Sequence, residues 1–181
     1  MTTKTVHKLY WDFEKEERWL NEMSAKGLNL VRYRWGTYTF ETGAPGQWIY
    51  RLELLPTDSR KPDSRQYLDF MSETGVETVA TYMRWVYFRK PAADGPFEVF
   101  SDLDSRMAHY QRILTMFASV TAALVPITVV NIVNVTRSGI GLAFVLPLFV
   151  IYLALVVTLA TQTIRLSRRV RELREQKQVY E

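Results

Sequence analysis

The chain has 181 residues, no cysteine, two histidines and a formal net charge of +4 at pH 7. The absence of cysteine excludes disulfide bonds and thiolate metal sites, and the length allows one or two domains. Residues 1–105 carry 14 Lys and Arg against 16 Asp and Glu, a net charge of −2, whereas residues 106–181 carry 9 against 3, a net charge of +6. A nucleic-acid-binding domain needs its cations on the folded part, so this distribution argues against nucleic acid as a partner.

The first half of an α+β domain is predicted over about residues 4–43. TVHKLYW predicts a strand, a helix follows over about residues 13–26, and LNLVRYRW and TYTFE predict two further strands. Asp12 has the side chain of an N-cap, and Gly27 is the expected stop signal. The order predicted for this half is therefore β-α-β-β.

A second half with the same predicted order follows over about residues 47–90. QWIYRLELL predicts a strand, Pro62 suits an early helical position, and VETVATYM and WVYFR predict two more strands. The leading strands align if His7 is matched with Tyr50. Two such repeats would build one α+β head over residues 1–100, because neither half can cover its aromatic sheet face alone. Six residues recur at an offset of 48: Leu20, Met23, Ser24, Gly27, Val31 and Phe40 correspond to Leu68, Met71, Ser72, Gly75, Val79 and Phe88.

Aromatic residues at strand spacing form the one candidate binding face in this head. They have two interpretations, a ligand or partner face between the halves and ordinary core packing. Exposure separates the two, since an open aromatic patch would favour binding. The six residues are Trp35, Tyr38, Trp48, Tyr50, Trp85 and Tyr87.

The polar residues predict no catalytic, cofactor-binding or metal-binding site. Glu16 falls on the apolar side of the first helix, where a buried acid would be a site candidate, but we expect it in a frayed first turn. His7 lies in a predicted strand and His109 just before the uncharged run of residues 113–135, and neither has an evident nucleophile beside it. TGAPGQ, residues 42–47, lacks a phosphate-binding fingerprint and predicts a hairpin turn.

Residues 101–181 predict a juxtamembrane helix, a transmembrane hairpin and a basic C-terminal helix. Residues 113–135 and 140–164 are uncharged runs of 23 and 25 residues, and each exceeds the roughly 20 residues that a span needs. The connection, Thr136–Gly139, is too short to recross a bilayer. Cations flank both outer ends of the hairpin, whereas its tip holds only Arg137, so the positive-inside rule predicts a multi-pass cell-membrane protein with both termini in the cytoplasm.

Small and polar residues in the spans indicate helix contacts rather than a transport path. Pro126, Pro147, Asn131 and Asn134 are expected to be local helix features, since no charge lies within the spans. Beyond the spans, Met107 and Val170 are predicted to pack in a helical stalk. Close contact within the hairpin or between protomers is predicted through Ala118, Ser119, Ala122 and Ala123.

Four motifs in order resemble the bacterial domain-of-unknown-function 2812 family over about residues 8–114. They are YWDFEKEERWLNEMSAKGLNLV, YTFETGAPGQWIYRLELL, WVYFRK and FEVFSDLDSRMAHYQRIL. The resemblance implies a membrane-anchored cytoplasmic domain, often encoded beside a PadR-like transcriptional regulator, and names no catalytic residue.

From the sequence we expect a non-enzymatic, membrane-anchored sensing or protein-interaction module that needs no cofactor. The bilayer is its expected partner, with a protein or a second copy as further possibilities. Two alternatives stay open: a membrane enzyme acting on a lipid or peptide, and a subunit of an oligomeric transporter.

Overall fold

The computed structural model describes residues 2–138 and 142–180, and the chain divides into two compact units between Asp102 and Leu103. The first unit mixes helices and strands, which confirms the predicted α+β class. Its elements are β1 (Thr3–His7), α1 (Phe13–Ala25), β2 (Leu28–Arg34), β3 (Thr37–Thr42), β4 (Trp48–Leu54), α2 (Pro62–Glu73), β5 (Glu77–Tyr82) and β6 (Trp85–Pro91), followed by a short 3-10 helix (Ala92–Asp94).

The six strands form two antiparallel sheets of three strands each. Their orders are β1-β3-β2 and β4-β6-β5. Since β3 and β4 lie in different sheets, residues 42–47 connect the sheets, and the predicted hairpin turn there was wrong. In each sheet the register shifts once, at Val31 in β2 and at Val79 in β5. Both halves therefore have the same element order and an irregularity at matching positions. That the halves superpose as structural copies stays a prediction.

The register of β1 corrects the alignment of the two leading strands. Lys4 lies opposite Phe40, and Arg51 lies opposite Phe88. His7 pairs with Thr37, and Leu54 pairs with Trp85, the residue 48 positions after Thr37. His7 therefore corresponds to Leu54, and matching it with Tyr50 was wrong by four residues. An even shift keeps every side chain on the same face of a strand, so the alternation of apolar residues alone could not fix this register.

The predicted helix signals are confirmed. The Asp12 carboxylate accepts hydrogen bonds from the backbone N–H groups of Glu14, at 3.1 Å, and Lys15, at 3.3 Å. Pro62 is the first residue of α2. Gly27 follows the C-cap of α1 with a φ of 73°, a left-handed conformation that glycine adopts without a side-chain clash.

Two apolar clusters hold the first unit together. The first joins the halves, because Tyr50, Leu52 and Tyr87 of the second half pack with side chains of α1, β2 and β3. The second lies within the second half and includes Phe97, from the segment after β6. The aromatic sheet faces are thus buried by contacts that are distant in sequence.

Side chains of α1 also cover the outer edge of β4. Asn21 Oδ1 accepts from the backbone N–H of Tyr50 at 2.9 Å, and Asn21 Nδ2 donates to the carbonyl of Tyr50 at 3.1 Å. Helical spacing matches the two-residue period of the strand, so the helix satisfies an edge that would otherwise be open to another chain. The three bonded pairs are Glu17 with Leu52, Asn21 with Tyr50, and Ser24 with Trp48.

The second unit consists of α3 (Leu103–Ser138) and α4 (Leu142–Tyr180). Two stretches, Leu103–Val135 and Phe149–Lys177, are long and apolar enough to cross a membrane. The mean hydropathy of an 18-residue window is 2.2 in the first stretch and 1.8 in the second. The predicted connection, Thr136–Gly139, is helical up to Ser138, whereas Gly139 and the predicted start of the second span at Ile140 lie outside the described residues.

Polar contacts join these two helices in the middle of the uncharged runs and again beyond their outer ends. The Tyr152 hydroxyl donates to the carbonyl of Leu124, and Lys177 Nζ lies 2.9 Å from the Asp104 carboxylate. Val170 is buried and Met107 is half-buried, but a contact between them stays a prediction.

Candidate functional site

Glu16 lies in the first turn of α1 and is 8% exposed. Its Oε1 accepts hydrogen bonds from the hydroxyls of Tyr38, at 2.6 Å, and Tyr87, at 2.7 Å. The expectation of a frayed first turn was therefore wrong. Tertiary contacts hold the turn in place, because Tyr38 lies on β3 and Tyr87 on β6. One carboxylate thus joins the two sheets.

Burial sets the protonation behaviour of this Glu16–Tyr38–Tyr87 cluster. It raises the pKa of the Glu16 carboxyl, while the two phenol hydrogen bonds lower that pKa less strongly. Burial and the adjacent carboxylate also raise the pKa of both phenols, so the hydroxyls stay protonated and donate. In the described part of the chain, no Lys or Arg forms an ion pair with Glu16. The cluster is a buried, hydrogen-bonded support between the two sheets.

Tyr33 connects this support to the surface. Its ring centroid lies 4.8 Å from that of Tyr38 and 4.6 Å from that of Tyr87. Its hydroxyl accepts from the backbone N–H of Gly36 at 3.2 Å, in the loop between β2 and β3. Tyr33 also packs edge-on against Tyr82, with the ring centroids 5.7 Å apart. Tyr82 directly precedes the loop between β5 and β6. The buried cluster thus holds the bases of two hairpin loops.

Three large apolar side chains lie exposed at these loops, and we call them the tip surface: Leu9, Trp35 and Met83, at 69%, 73% and 71% exposure. The Trp35 ring lies 6.1 Å from the Tyr82 ring, so the two loops are neighbours. Leu9 lies against the first loop, because a Cβ built on Gly36 would be 2.6 Å from Leu9 Cδ2.

The backbone at the tip surface is unusual for such residues. Trp35 has a φ of 43° and Met83 a φ of 55°, and they are the non-glycine residues with positive φ among those described. The left-handed region costs a bulky residue about 1–2 kcal/mol, and two-residue hairpin loops ordinarily place Asn, Asp or Gly there. Two exposed apolar side chains are therefore held in a conformation that disfavours them.

The segments that carry the tip surface contain cationic residues and no acidic ones. Segments 7–11, 30–38 and 80–88 contain Lys8, Arg32, Arg34 and Arg84, and no Asp or Glu. Arg32 and Arg34 are exposed, whereas Arg84 Nε donates to the Leu55 carbonyl at 2.8 Å. Residues 1–105 have a net charge of −2, whereas these three segments carry only cations.

The six aromatic residues predicted as one face lie in different environments. Tyr38, Tyr50 and Tyr87 are buried in the core, and Trp35 is exposed. Trp48 and Trp85 are half-buried, and Trp48 lies under the Arg89 guanidinium at 4.1 Å. A ligand or partner role for the full set stays a prediction.

Sequence reasoning did not single out Leu9 or Met83. A signal was present for Met83, since it occupies the loop position 48 residues after Trp35. No comparable signal marked Leu9, whose place beside Gly36 depends on the pairing of β1 with β3.

The other candidates are more ordinary. His7 Nδ1 lies 3.1 Å from the Thr37 hydroxyl, and His109 is buried in α3. Residues 2–138 and 142–180 contain no cluster of three or more His, Asp or Glu suited to a metal ion. In the proposed contact stripe, Ser119, Ala122 and Ala123 are exposed and Ala118 is half-buried.

The architecture is that of a small α+β head followed by two long apolar helices. The chain belongs to the family described as protein of unknown function (DUF2812), whose family model matches residues 12–122. The matched range runs from the N-cap of α1 into α3, so it contains Glu16, both tyrosines of the cluster, Trp35 and Met83. Neither a curated protein nor a solved structure matches the chain.

Proposed function

We propose that this protein is a membrane-anchored, non-enzymatic sensing or interaction module. In this proposal α3 and α4 cross the cell membrane as a hairpin, and the head lies in the cytoplasm with both termini. The length and apolar composition of the two helices support the anchor. The cations that flank the uncharged runs, including Arg112 and Arg165, support the orientation.

The tip surface is the observation that carries the interaction role. Trp35 and Met83 expose apolar area to water and adopt a disfavoured backbone conformation, so neither property stabilises the head. Strained, exposed residues of this kind point to a role in binding. The tyrosine support under the loops fits that role, since it fixes the tip surface before a partner arrives.

A non-enzymatic role is favoured by the surroundings of the buried acid Glu16. Glu16 is enclosed by Tyr38 and Tyr87 and presents no convergent set of polar groups to a substrate. The PadR-like regulator implied by the family resemblance is one candidate for a protein that reads the state of this module.

The test removes the apolar side chains of the tip surface while keeping the loops. Asn tolerates the left-handed region, so Trp35→Asn with Met83→Asn should leave the fold intact. The matched control is Phe70→Gln, which removes another exposed aromatic side chain, 58% exposed on α2. Each full-length variant is purified from native membranes with its lipids retained.

We expect the wild-type protein and the Phe70→Gln control to retain the same associated molecules. The Trp35→Asn/Met83→Asn variant should lose at least one of them. Identical retention by all three proteins, with folding confirmed by circular dichroism, would contradict a binding role for the tip surface.

A further inference from the structure

We infer that the tip surface docks on the anionic surface of the bilayer in which this chain is itself anchored. The inference rests on the proposed membrane anchoring and names the partner of the tip surface. It commits to lipid, and a protein occupant is an outcome that the experiment below can identify.

The apolar part of the tip surface suits a membrane interface. Trp35 is an aromatic residue with a polar N–H, a combination that favours the headgroup region, and Met83 and Leu9 add apolar side chains of moderate size. All three project from loops rather than from a groove, at about 70% exposure each. A convex set of separate apolar side chains fits a deformable lipid surface more readily than a concave pocket fits a ligand.

The charge around the tip surface specifies an anionic bilayer. Arg32 and Arg34 are exposed and precede Trp35 by three residues and one residue. The tip segments carry only cations, while residues 1–105 have a net charge of −2. Since charges in water act over about 8 Å at physiological ionic strength, the tip should be attracted while the rest of the head is repelled. Each cation near an anionic bilayer contributes a factor of about five to the docked population.

The backbone of the tip surface is fixed before docking. The Lys8 N–H donates to the Gly36 carbonyl at 2.8 Å, which ties the segment of Leu9 to the first loop. The hydroxyl of Tyr33 holds the same loop, and the guanidinium of Arg84 holds the second loop through Leu55. A preordered surface loses little conformational entropy on docking. Anchoring in the same chain further raises the local concentration of the head at the bilayer.

The experiment uses the absence of native cysteine to place one probe per molecule. Trp35→Cys and Met83→Cys are each labelled with a polarity-sensitive fluorophore, and Phe70→Cys on α2 is the matched control. The full-length proteins are reconstituted in phosphatidylcholine vesicles with or without phosphatidylserine. Quenching by lipids that carry a nitroxide on the acyl chain reports direct contact with the bilayer.

We expect the probes at positions 35 and 83 to shift to shorter emission wavelengths, and to be quenched, when phosphatidylserine is present. The probe at position 70 should do neither. Arg32→Gln with Arg34→Gln should lower the ratio of docked to free heads about 25-fold, from about fivefold for each cation. Arg65→Gln, an exposed cation on α2, should leave that ratio unchanged.

Equal probe signals in both vesicle types, without quenching at positions 35 and 83, would overturn lipid docking. If the Asn variants of the tip still lose a copurifying protein in that case, the interaction module stands with a protein partner instead. If they lose nothing either, the lipid inference and the proposed function both fail.

Discussion

Tyr87→Phe is expected to destabilise the head in a pH-dependent way. The substitution removes one of the two hydroxyls that donate to the buried Glu16 carboxylate, at 2.7 Å, and leaves the ring packing against Tyr33. A hydrogen bond to a charged group contributes about 1.5–3 kcal/mol, so we expect a loss of about 2 kcal/mol in the free energy of unfolding at neutral pH.

The sign of the pH dependence follows from the raised pKa of Glu16. A carboxyl whose folded-state pKa lies above its unfolded value, 4.5, contributes stability at low pH that is lost as pH rises through the folded-state pKa. Losing a donor from Tyr87 raises that pKa further. The difference between wild type and Tyr87→Phe should therefore be largest at neutral pH and should shrink as pH falls toward 4.5.

The assay is urea unfolding of the full-length protein in detergent, followed by tryptophan fluorescence. All five tryptophans precede residue 100, so the signal reports the head alone. Tyr82→Phe is the control, because Tyr82 is half-exposed and should change stability by less than about 0.5 kcal/mol. A Tyr87→Phe loss that is equally small, or that is constant from neutral pH to pH 4.5, would refute the charged-carboxylate account.

Two further substitutions test the helix ends and the covered strand edge. Gly27→Ala should destabilise the head by more than Gly75→Ala. Both glycines have left-handed φ, which costs an alanine about 1–2 kcal/mol, but only at Gly27 would the new Cβ also lie 2.7 Å from a backbone carbonyl oxygen. Equal losses of unfolding free energy in urea would contradict this. Asn21→Ala should lose about 2–3 kcal/mol by the same assay, since it leaves both backbone groups of Tyr50 without that partner. Asp69→Ala, the exposed position 48 residues later, is its control and should be near neutral; a comparable loss there would argue against the edge contact.

The elements of the head could be predicted because their signals are local. Asp12 and Gly27 bound α1 by capping chemistry that depends on a few adjacent residues. The burial of Glu16 could not be predicted in the same way, since one of its two partners, Tyr87, is 71 residues away. The predicted alignment of β1 was wrong for a related reason. A shift of four residues preserves the alternation of apolar and polar residues on which that prediction depended.

The candidate site was predictable only in part. Trp35 was recognised from its aromatic character, but strand spacing grouped it with Tyr38, Tyr50 and Tyr87, which are core residues. Spacing places residues on a face without showing which face is covered. Coverage here depends on how the two sheets pack, and that is a tertiary property.

Photo-crosslinking from the tip surface tests the central claim most directly. A photoreactive phenylalanine analogue is placed at position 35 or, as the matched control, at position 70 of the full-length protein in native membranes. We predict abundant adducts from position 35, to lipid if the bilayer is the partner, and few from position 70. Equal yields from the two positions, with both proteins folded and inserted, would contradict the claim that the tip surface is the binding surface of this protein.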